Sequence, residues 1–145
     1  MNTTTKRISL LAMALLMLVT GIYVPFRNAE AATTYNNTAT ASINCNIDNS
    51  GNLLALMAAT GIKGKTTRIQ VELYVEKRVM GIFWSRVDIG YTNNVWIDST
   101  TNTTYNNSFS TNLDTSGTFR VTVTFTVSGS GGSDDIIVKT AILSY

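Results

Sequence analysis

The segment 117–129, GTFRVTVTFTVSG, alternates strictly between apolar and polar side chains. Its apolar positions are Phe119, Val121, Val123, Phe125 and Val127, and its polar positions are Thr118, Arg120, Thr122, Thr124 and Thr126. Successive side chains on a strand point to opposite faces of a sheet. The segment therefore predicts a strand whose apolar face is covered by a second sheet and whose threonine face meets solvent.

The same period of two recurs along the chain. Residues 38–48 (TATASINCNID) and 67–75 (TRIQVELYV) both alternate, and residues 136–145 (IIVKTAILSY) are predicted to form the last strand. The segment 53–60 (LLALMAAT) is open to two interpretations, a short helix or a buried strand, and its length and flanking turn signals favour the strand. The residues expected to face the core in the first two segments are Ala39, Ala41, Ile43, Cys45, Ile47, Thr67, Ile69, Val71, Leu73 and Val75.

Turn signals separate these segments. They occur at 48–52 (DNSGN), 61–65 (GIKGK), Gly81, 114–117 (DTSG, expected to close a hairpin) and 128–135 (SGSGGSDD). No segment shows convincing helical amphipathicity. Seven or eight short strands divided in this way predict an all-β chain folded as an antiparallel two-sheet sandwich.

The first 31 residues have the pattern of a signal peptide. Lys6 and Arg7 precede the apolar run 8–20, and Ala29 and Ala31 occupy the small-residue positions of a cleavage site. The pattern predicts a secreted, extracellular domain at 32–145, with an uncleaved membrane anchor as the alternative. Since no cysteine lies near the cleavage site, a lipoprotein anchor is excluded.

Removing the signal peptide changes the charge balance. Of the 11 basic and nine acidic residues, three basic ones and one acidic one lie before residue 32, which leaves eight of each. A nucleic-acid-binding protein normally carries a basic stripe, because neutralising phosphates supplies much of its affinity. The composition therefore predicts no nucleic-acid partner. Cleavage of the signal peptide would remove the apolar run 8–20, so no membrane contact is expected afterwards.

Two absences from the composition argue against catalysis. The sequence has no histidine and a single cysteine, Cys45. Without histidine, the usual nucleophile activation and the usual general base near pH 7 are missing. Cys45 lies on the apolar phase of its segment and is interpreted as a small buried hydrophobic residue. We therefore expect no enzyme activity, no cofactor, no metal site and no intramolecular disulfide.

Two oxygen-rich features leave narrower alternatives open. Glu72 and Glu76 share a strand phase but lie about 13 Å apart along it, which is wider than glycoside hydrolysis requires. Asp134 with Asp135, or Asp48 with nearby asparagines, offers oxygen ligands for Ca²⁺, although neither group matches a calcium-binding loop. Solvated strand charges and turn chemistry explain both features more simply.

Residues 67–127 resemble an immunoglobulin-like sandwich. The resemblance rests on IQVELYV followed by Trp84 and then by the strand SGTFRV. It implies that Val71 or Leu73 and Val121 stand where the family has its disulfide cysteines. The chain also resembles small secreted proteins of Gram-positive bacteria, an uncharacterised group, which implies fold and compartment but no activity.

The segment 91–96 (YTNNVW) supplies candidate ligand-binding residues. Two aromatic residues flank two asparagines in an expected loop, and loops on a rigid sandwich often carry binding residues. The candidates are Tyr91, Asn93, Asn94, Trp96 and Tyr105. Aromatic faces stack on apolar patches, and asparagine amides form hydrogen bonds with polar groups of a ligand. The expected ligand is therefore a surface glycan or another protein. The alternative is that Trp96 and Tyr105 plug the end of the sandwich.

A second function class is a structural protein that recruits another chain by β-augmentation. The last strand is the candidate edge, with Ile136, Val138 and Ile142 on one phase and Lys139 on the other.

The cleavage pattern gives the first testable expectation. Secreted protein should begin at Ala32, and its intact mass should show the loss of 31 residues. Recovery of only the full-length chain, in membranes, would favour the uncleaved anchor instead.

Overall fold

The computed structural model describes residues 34–145, so the predicted signal peptide and its cleavage site lie outside the described residues. Eight strands make up most of this region: β1 (Thr38–Ile47), β2 (Asn52–Gly61), β3 (Thr66–Val79), β4 (Phe83–Arg86), β5 (Trp96–Thr100), β6 (Thr104–Asn112), β7 (Thr118–Gly129) and β8 (Asp135–Ser144). One short turn of helix, Thr92–Asn94, interrupts them.

The strands form two antiparallel sheets. The first has the order β1-β2-β6. The second has the order β4-β3-β7-β8, with β5 also paired to β3. Residues 69–73 of β3 pair with β5 and residues 76–79 pair with β4, both on the edge of β3 opposite β7, so β4 and β5 follow one another along a single edge of β3.

This architecture confirms the predicted all-β, two-sheet sandwich. With β1, β2 and β6 in one sheet and β3, β7 and β8 in the other, the strand order is the A-B-E and C-F-G order of immunoglobulin-like domains. The strand count is within the predicted seven or eight.

The core lies between the sheets and is built from one phase of each strand. Every apolar side chain of β7 that was predicted to face inward is at most 1 % exposed. The opposing layer comes mainly from β2. The buried residues of these strands and of β3 are Phe119, Val121, Val123, Phe125, Val127, Ile69, Val71, Leu73, Val75, Leu53, Ala55, Met57 and Ala59.

The facing or burial of several residues differs from the sequence analysis. A register shift between Thr66 and Arg68 leaves Thr67, which was expected to face the core, exposed. Segment 53–60 is a strand, as favoured, but only alternate residues are buried, and Leu54 and Leu56 are more than 40 % exposed. A register shift between Thr38 and Thr40 turns Ala39 outward and Thr38 inward. Thr122 lies on the outer face as predicted, yet only 6 % of it is exposed, in the cross-strand row between Tyr74 and Thr140.

The segment 114–117 does not close a hairpin. It joins β6, which pairs with β2, to β7, which pairs with β3 and β8 in the other sheet. The segment is therefore a crossover between sheets. A turn signal in the sequence shows where the chain reverses, but it carries no information about which strands pair afterwards.

The correspondence with the immunoglobulin disulfide is also wrong at the residue level. Val71 and Leu73 lie on β3, which pairs directly with the β7 strand of Val121, whereas the immunoglobulin disulfide joins opposite sheets. Trp84 is likewise absent from the core. It lies half-buried on the short strand β4, with the Arg120 guanidinium 4.5 Å from its ring centre.

A buried carboxylate ties the start of β1 to the start of β8. Asp135 accepts hydrogen bonds from the backbone N–H groups of Asn36 (2.8 Å) and Asn37 (2.7 Å) and from the hydroxyl of Thr38 (2.9 Å). Burial opposes ionisation of this carboxyl, but these donors outweigh it, so the pKa of Asp135 lies below its ordinary value. With three donors from the chain itself, the carboxylate acts as a structural anchor.

Asn37 extends this anchor to two turns. Its side chain, which has no exposed surface, donates to the Ser133 carbonyl (3.1 Å) and accepts from the Gly131 N–H (2.9 Å). Its own carbonyl accepts from the Ile62 N–H (2.9 Å). The turn 130–134 is therefore held in place by residues that precede β1.

The same substitution should have unequal effects at a buried valine of β7 and at an exposed valine of β8. Val123→Asp should prevent folding, because it places an unpaired charge in the core. Val138→Asp on β8, at a side chain 58 % exposed, should change the free energy of unfolding by less than about 1 kcal/mol. Urea unfolding followed by circular dichroism measures both, and equal effects would contradict the assigned faces.

The Asp135 anchor predicts a pH dependence. Because its pKa is lower in the folded chain than the ordinary 3.8, the carboxylate stabilises the fold above about pH 4 and loses this effect as the pH falls through the folded-state pKa. Asp135→Asn should destabilise the fold by about 3 kcal/mol at pH 7, because the amide replaces a charged acceptor. The difference from wild type should shrink below pH 4, whereas the exposed neighbour variant Asp134→Asn should match wild type throughout.

Candidate functional site

The candidate loop exists because β4 and β5 are separated by more chain than the sheet needs. Arg86 pairs with Glu76 and Trp96 pairs with Leu73, so only two residues of β3 lie between these pairs. The chain spans the same interval with residues 87–95 and therefore leaves the sheet as a loop. Ile89 is buried (6 % exposed) and anchors this loop to the core.

Two left-handed asparagines shape the tip of the loop. Asn93 and Asn94 have φ values of 56° and 55°. The Asn94 N–H donates to the Tyr91 carbonyl (2.8 Å), and the Val95 N–H donates to that of Thr92 (3.3 Å). Asparagine adopts this conformation more readily than other side-chain-bearing residues. The adjacent asparagines in YTNNVW therefore have a conformational role in addition to any contact with a ligand.

The loop borders a shallow depression of about 430 Å³ on the outer face of the larger sheet. The Tyr91 side chain is 49 % exposed there. The depression is lined by Glu72, Tyr91, Thr92, Asn93, Val95 and Ile97. It thus combines an aromatic face, an amide, a hydroxyl and a carboxylate.

The carboxylate of the depression is held by a row of side chains on β3. The Gln70 amide donates to Glu72 Oε1 (3.0 Å), and the Arg68 guanidinium donates to Gln70 Oε1 (2.9 Å). Neither Glu72 nor Ile97 was among the ligand-binding residues expected from the sequence. They lie together because they pair across β3 and β5, and recognising them requires knowing that these two strands pair.

Trp96 and Tyr105 lie on the opposite side of β5, where the two sheets meet. The Trp96 ring lies 5.8 Å from that of Phe109, measured between ring centres, and Tyr91 also approaches Phe109, at 6.1 Å. Tyr105 is buried (3 % exposed) and its hydroxyl donates to Asp98 (3.0 Å). The structure therefore brings Tyr91 and Asn93 together in the depression, while Trp96 and Tyr105 close the β5–β6 edge of the sandwich.

Asp98 links the two strands at this edge. Its carboxylate also accepts a hydrogen bond from the Asn107 amide (2.7 Å). That bond, aided by the one from Tyr105, lowers the pKa of Asp98. Burial, together with the neighbouring carboxylate, raises the pKa of the Tyr105 hydroxyl well above its ordinary range. Tyr105 thus stays protonated and remains a donor at any physiological pH.

A second concave surface lies on the outer face of the three-stranded sheet. This groove, of about 570 Å³, is bordered by Ser42, Ile43, Asn44, Leu56, Met57, Ala58, Asn106, Asn107 and Ser108. The middle strand of this sheet, β2, places Leu56 in the groove. Leu56 pairs with Asn44 on one side and with Ser108 on the other. The groove has no charged side chain and no aromatic ring, so it offers fewer specific contacts than the Tyr91 depression.

No protein-family model matches the chain, and no curated protein matches it in sequence. Among residues 34–145, no three His, Cys, Asp or Glu side chains are grouped so that they could hold a metal ion. No helix in the same region has the length and apolar character that crossing a bilayer requires.

Proposed function

We propose that the protein is a secreted, non-catalytic module that binds a carbohydrate through the depression beside Tyr91. The observation that carries this proposal is the half-exposed Tyr91 ring next to the Asn93 amide and the Glu72 carboxylate. An aromatic face packs against the apolar face of a sugar ring, while an amide can donate to or accept from its hydroxyls and a carboxylate accepts from them. Secretion rests on the signal-peptide pattern in residues 1–31.

The lining of the depression supports binding over hydrolysis. Glu72 is its single carboxylate, whereas glycoside hydrolysis uses two. Glu76, four residues beyond Glu72 on the same strand face, forms an ion pair with Arg120 at 2.7 Å. The Glu76 carboxylate is therefore engaged by Arg120 and is not part of the lining of the depression.

β-augmentation through β8 is the second candidate function. β8 is the last strand of its sheet, and its outer face exposes Ile136, Val138 and Ile142 by 67 %, 58 % and 63 %. Exposed, apolar edge strands recruit further strands unless charges or coverage prevent it. Concentration-dependent polymers on a sizing column, abolished by Val138→Lys, would favour this function over carbohydrate binding.

Substitutions in the depression test the carbohydrate proposal. After a glycan array identifies a ligand, Tyr91→Ala should weaken its binding about 30-fold or more, as expected for an aromatic anchor. Tyr91→Phe should keep most of the affinity, since the ring remains. Asn93→Gly preserves the left-handed backbone and removes only the amide, so it should weaken binding without lowering the melting temperature.

The control for these measurements is Ile142→Ala, an exposed change on a different strand that should leave binding unaffected. Calorimetric titration gives the affinities. Absence of any glycan ligand, or full affinity in Tyr91→Ala, would overturn the carbohydrate proposal. If a protein, and no glycan, bound the wild type but not Tyr91→Ala, the ligand class would change and the site would stay the same.

A further inference from the structure

The hairpin between β3 and β4 ends in an exposed apolar tip. Met80 and Ile82 are 84 % and 72 % exposed, more than any other large apolar side chain in residues 34–145. Phe83 is 64 % exposed and Val79 is 41 % exposed. Exposed apolar groups concentrated in this way are uncommon on a soluble surface and mark an interaction site.

The sequence of the tip is unfavourable for the turn that it forms. Met80 and Gly81 are both left-handed, with φ values of 52° and 72°, and the Ile82 N–H donates to the Val79 carbonyl (3.2 Å). A two-residue turn of this kind favours Asn-Gly. Methionine at its first position adopts the left-handed conformation at a cost that asparagine largely avoids. Folding therefore does not explain why an apolar residue occupies this position.

The tip also extends past its neighbouring strand. Pairing between β3 and β7 ends at Lys77 and Phe119, and β4 has only four residues. Residues 78–83 therefore stand beyond the end of β7. They form a narrow projection two strands wide, a shape that is suited to penetrating a surface.

Cations and an indole ring lie directly behind the apolar tip. Arg78 pairs across the strands with Trp84, one row behind Val79 and Phe83, and Arg86 lies two rows further back opposite Glu76. At about 3.3 Å per row, Arg78 and Trp84 lie within about 7 Å of the tip, and Arg86 within about 14 Å. Lys77 adds a third cation on the same hairpin.

Three acidic residues lie near the hairpin but outside residues 77–86. Glu76 forms an ion pair with Arg120, which itself lies over the Trp84 ring. Asp88 follows the hairpin and accepts a hydrogen bond from the Gly90 N–H (2.9 Å). Asp114 lies in the neighbouring crossover beside Thr115, whose hydroxyl accepts a hydrogen bond from the Lys77 ammonium (2.6 Å). The hairpin itself, residues 77–86, carries three cations and no acid.

We propose that this hairpin docks into the surface of an anionic phospholipid bilayer. Met80, Ile82 and Phe83 enter the boundary of the acyl chains, Trp84 lies at the interface, and the cations contact lipid phosphates. The order of apolar, aromatic and basic groups along the hairpin matches the order of the layers in a bilayer surface. A pocket on a protein would have no need of this layered order.

The proposal uses different residues from the Tyr91 depression, so it stands independently of the carbohydrate function. It departs from the sequence-based expectation that the chain meets no membrane after signal cleavage. That expectation rested on removal of the signal peptide, which leaves an even charge balance in residues 32–145. Pairing of β3 with β4 concentrates three of the eight basic residues beside one apolar tip.

Vesicle binding and quenching of Trp84 fluorescence test the proposal. The secreted protein should sediment with phosphatidylglycerol-containing vesicles, bind pure phosphatidylcholine at least tenfold more weakly, and lose binding as salt rises. Lipids brominated near the top of the acyl chains should quench its fluorescence. The chain has two tryptophans, so loss of this quenching in Trp84→Phe would assign it to the hairpin.

Matched variants separate the tip from general hydrophobicity. Met80→Asn with Ile82→Thr and Phe83→Thr should lower vesicle binding at least tenfold without lowering the melting temperature, because Asn-Gly suits the turn. The control replaces Ile136, Val138 and Ile142 with Thr, which removes three similarly exposed apolar residues from β8. It should bind vesicles like wild type.

The basic residues are tested separately. Arg78→Gln with Arg86→Gln should weaken binding to anionic vesicles about 30-fold and leave the weak phosphatidylcholine binding unchanged. Absence of vesicle binding, equal binding by the tip variant and wild type, or no quenching of Trp84 would each overturn the proposal. Binding to soluble polyanions that matches binding to vesicles would overturn it too, since it would show that the tip does not insert.

Discussion

The sandwich depends on the burial of one face of β7 against the opposite sheet. Five side chains of this strand have almost no exposed surface, and β7 is also the strand that joins β3 to β8 within its sheet. Hydrogen bonding fixes the strands within a sheet, whereas apolar burial is the main force that holds the two sheets together. Because the period of a strand is two, a slip of one residue would exchange the apolar face for the threonine face. The register of β7 is therefore the constraint from which the positions of β3, β4, β5 and β8 follow.

The polar anchor at Asp135 complements this core. The start of β1 meets the start of β8 at the edge of the sandwich, where apolar burial is incomplete and backbone donors need partners. The Asp135 carboxylate and the buried Asn37 side chain supply those partners to the segment before β1 and to the turn before β8. Their contribution is directional, so it fixes how the edges are joined, whereas the core fixes which faces meet.

The strands and their faces could be predicted from the sequence, but the pairing of the strands could not. Alternation in residues 67–75 and 119–127 depends on local geometry, so it located β3 and β7 and, except at Thr67, their buried faces correctly. The crossover at 114–117 and the placement of Val71 beside the strand of Val121 depend on long-range pairing, which leaves no local pattern. The same limit applies to the site. Tyr91 and Asn93 were recognisable in their loop, whereas Glu72 joins them only because β5 pairs with β3.

The two proposed surfaces both lie along the outer edge of β3, and this placement has a physical reason. β3 is paired along its other edge with β7, so its position is fixed by the core, while β4 and β5 each cover only part of its free edge. The chain between and beyond these short strands is free to form the Asn93 loop and the Met80 turn, two of the places where a residue other than glycine is left-handed. In the loop, asparagine adopts the left-handed conformation at low cost. In the turn, methionine adopts it at a higher cost, and its exposed side chain is what makes the hairpin suited to a surface outside the protein.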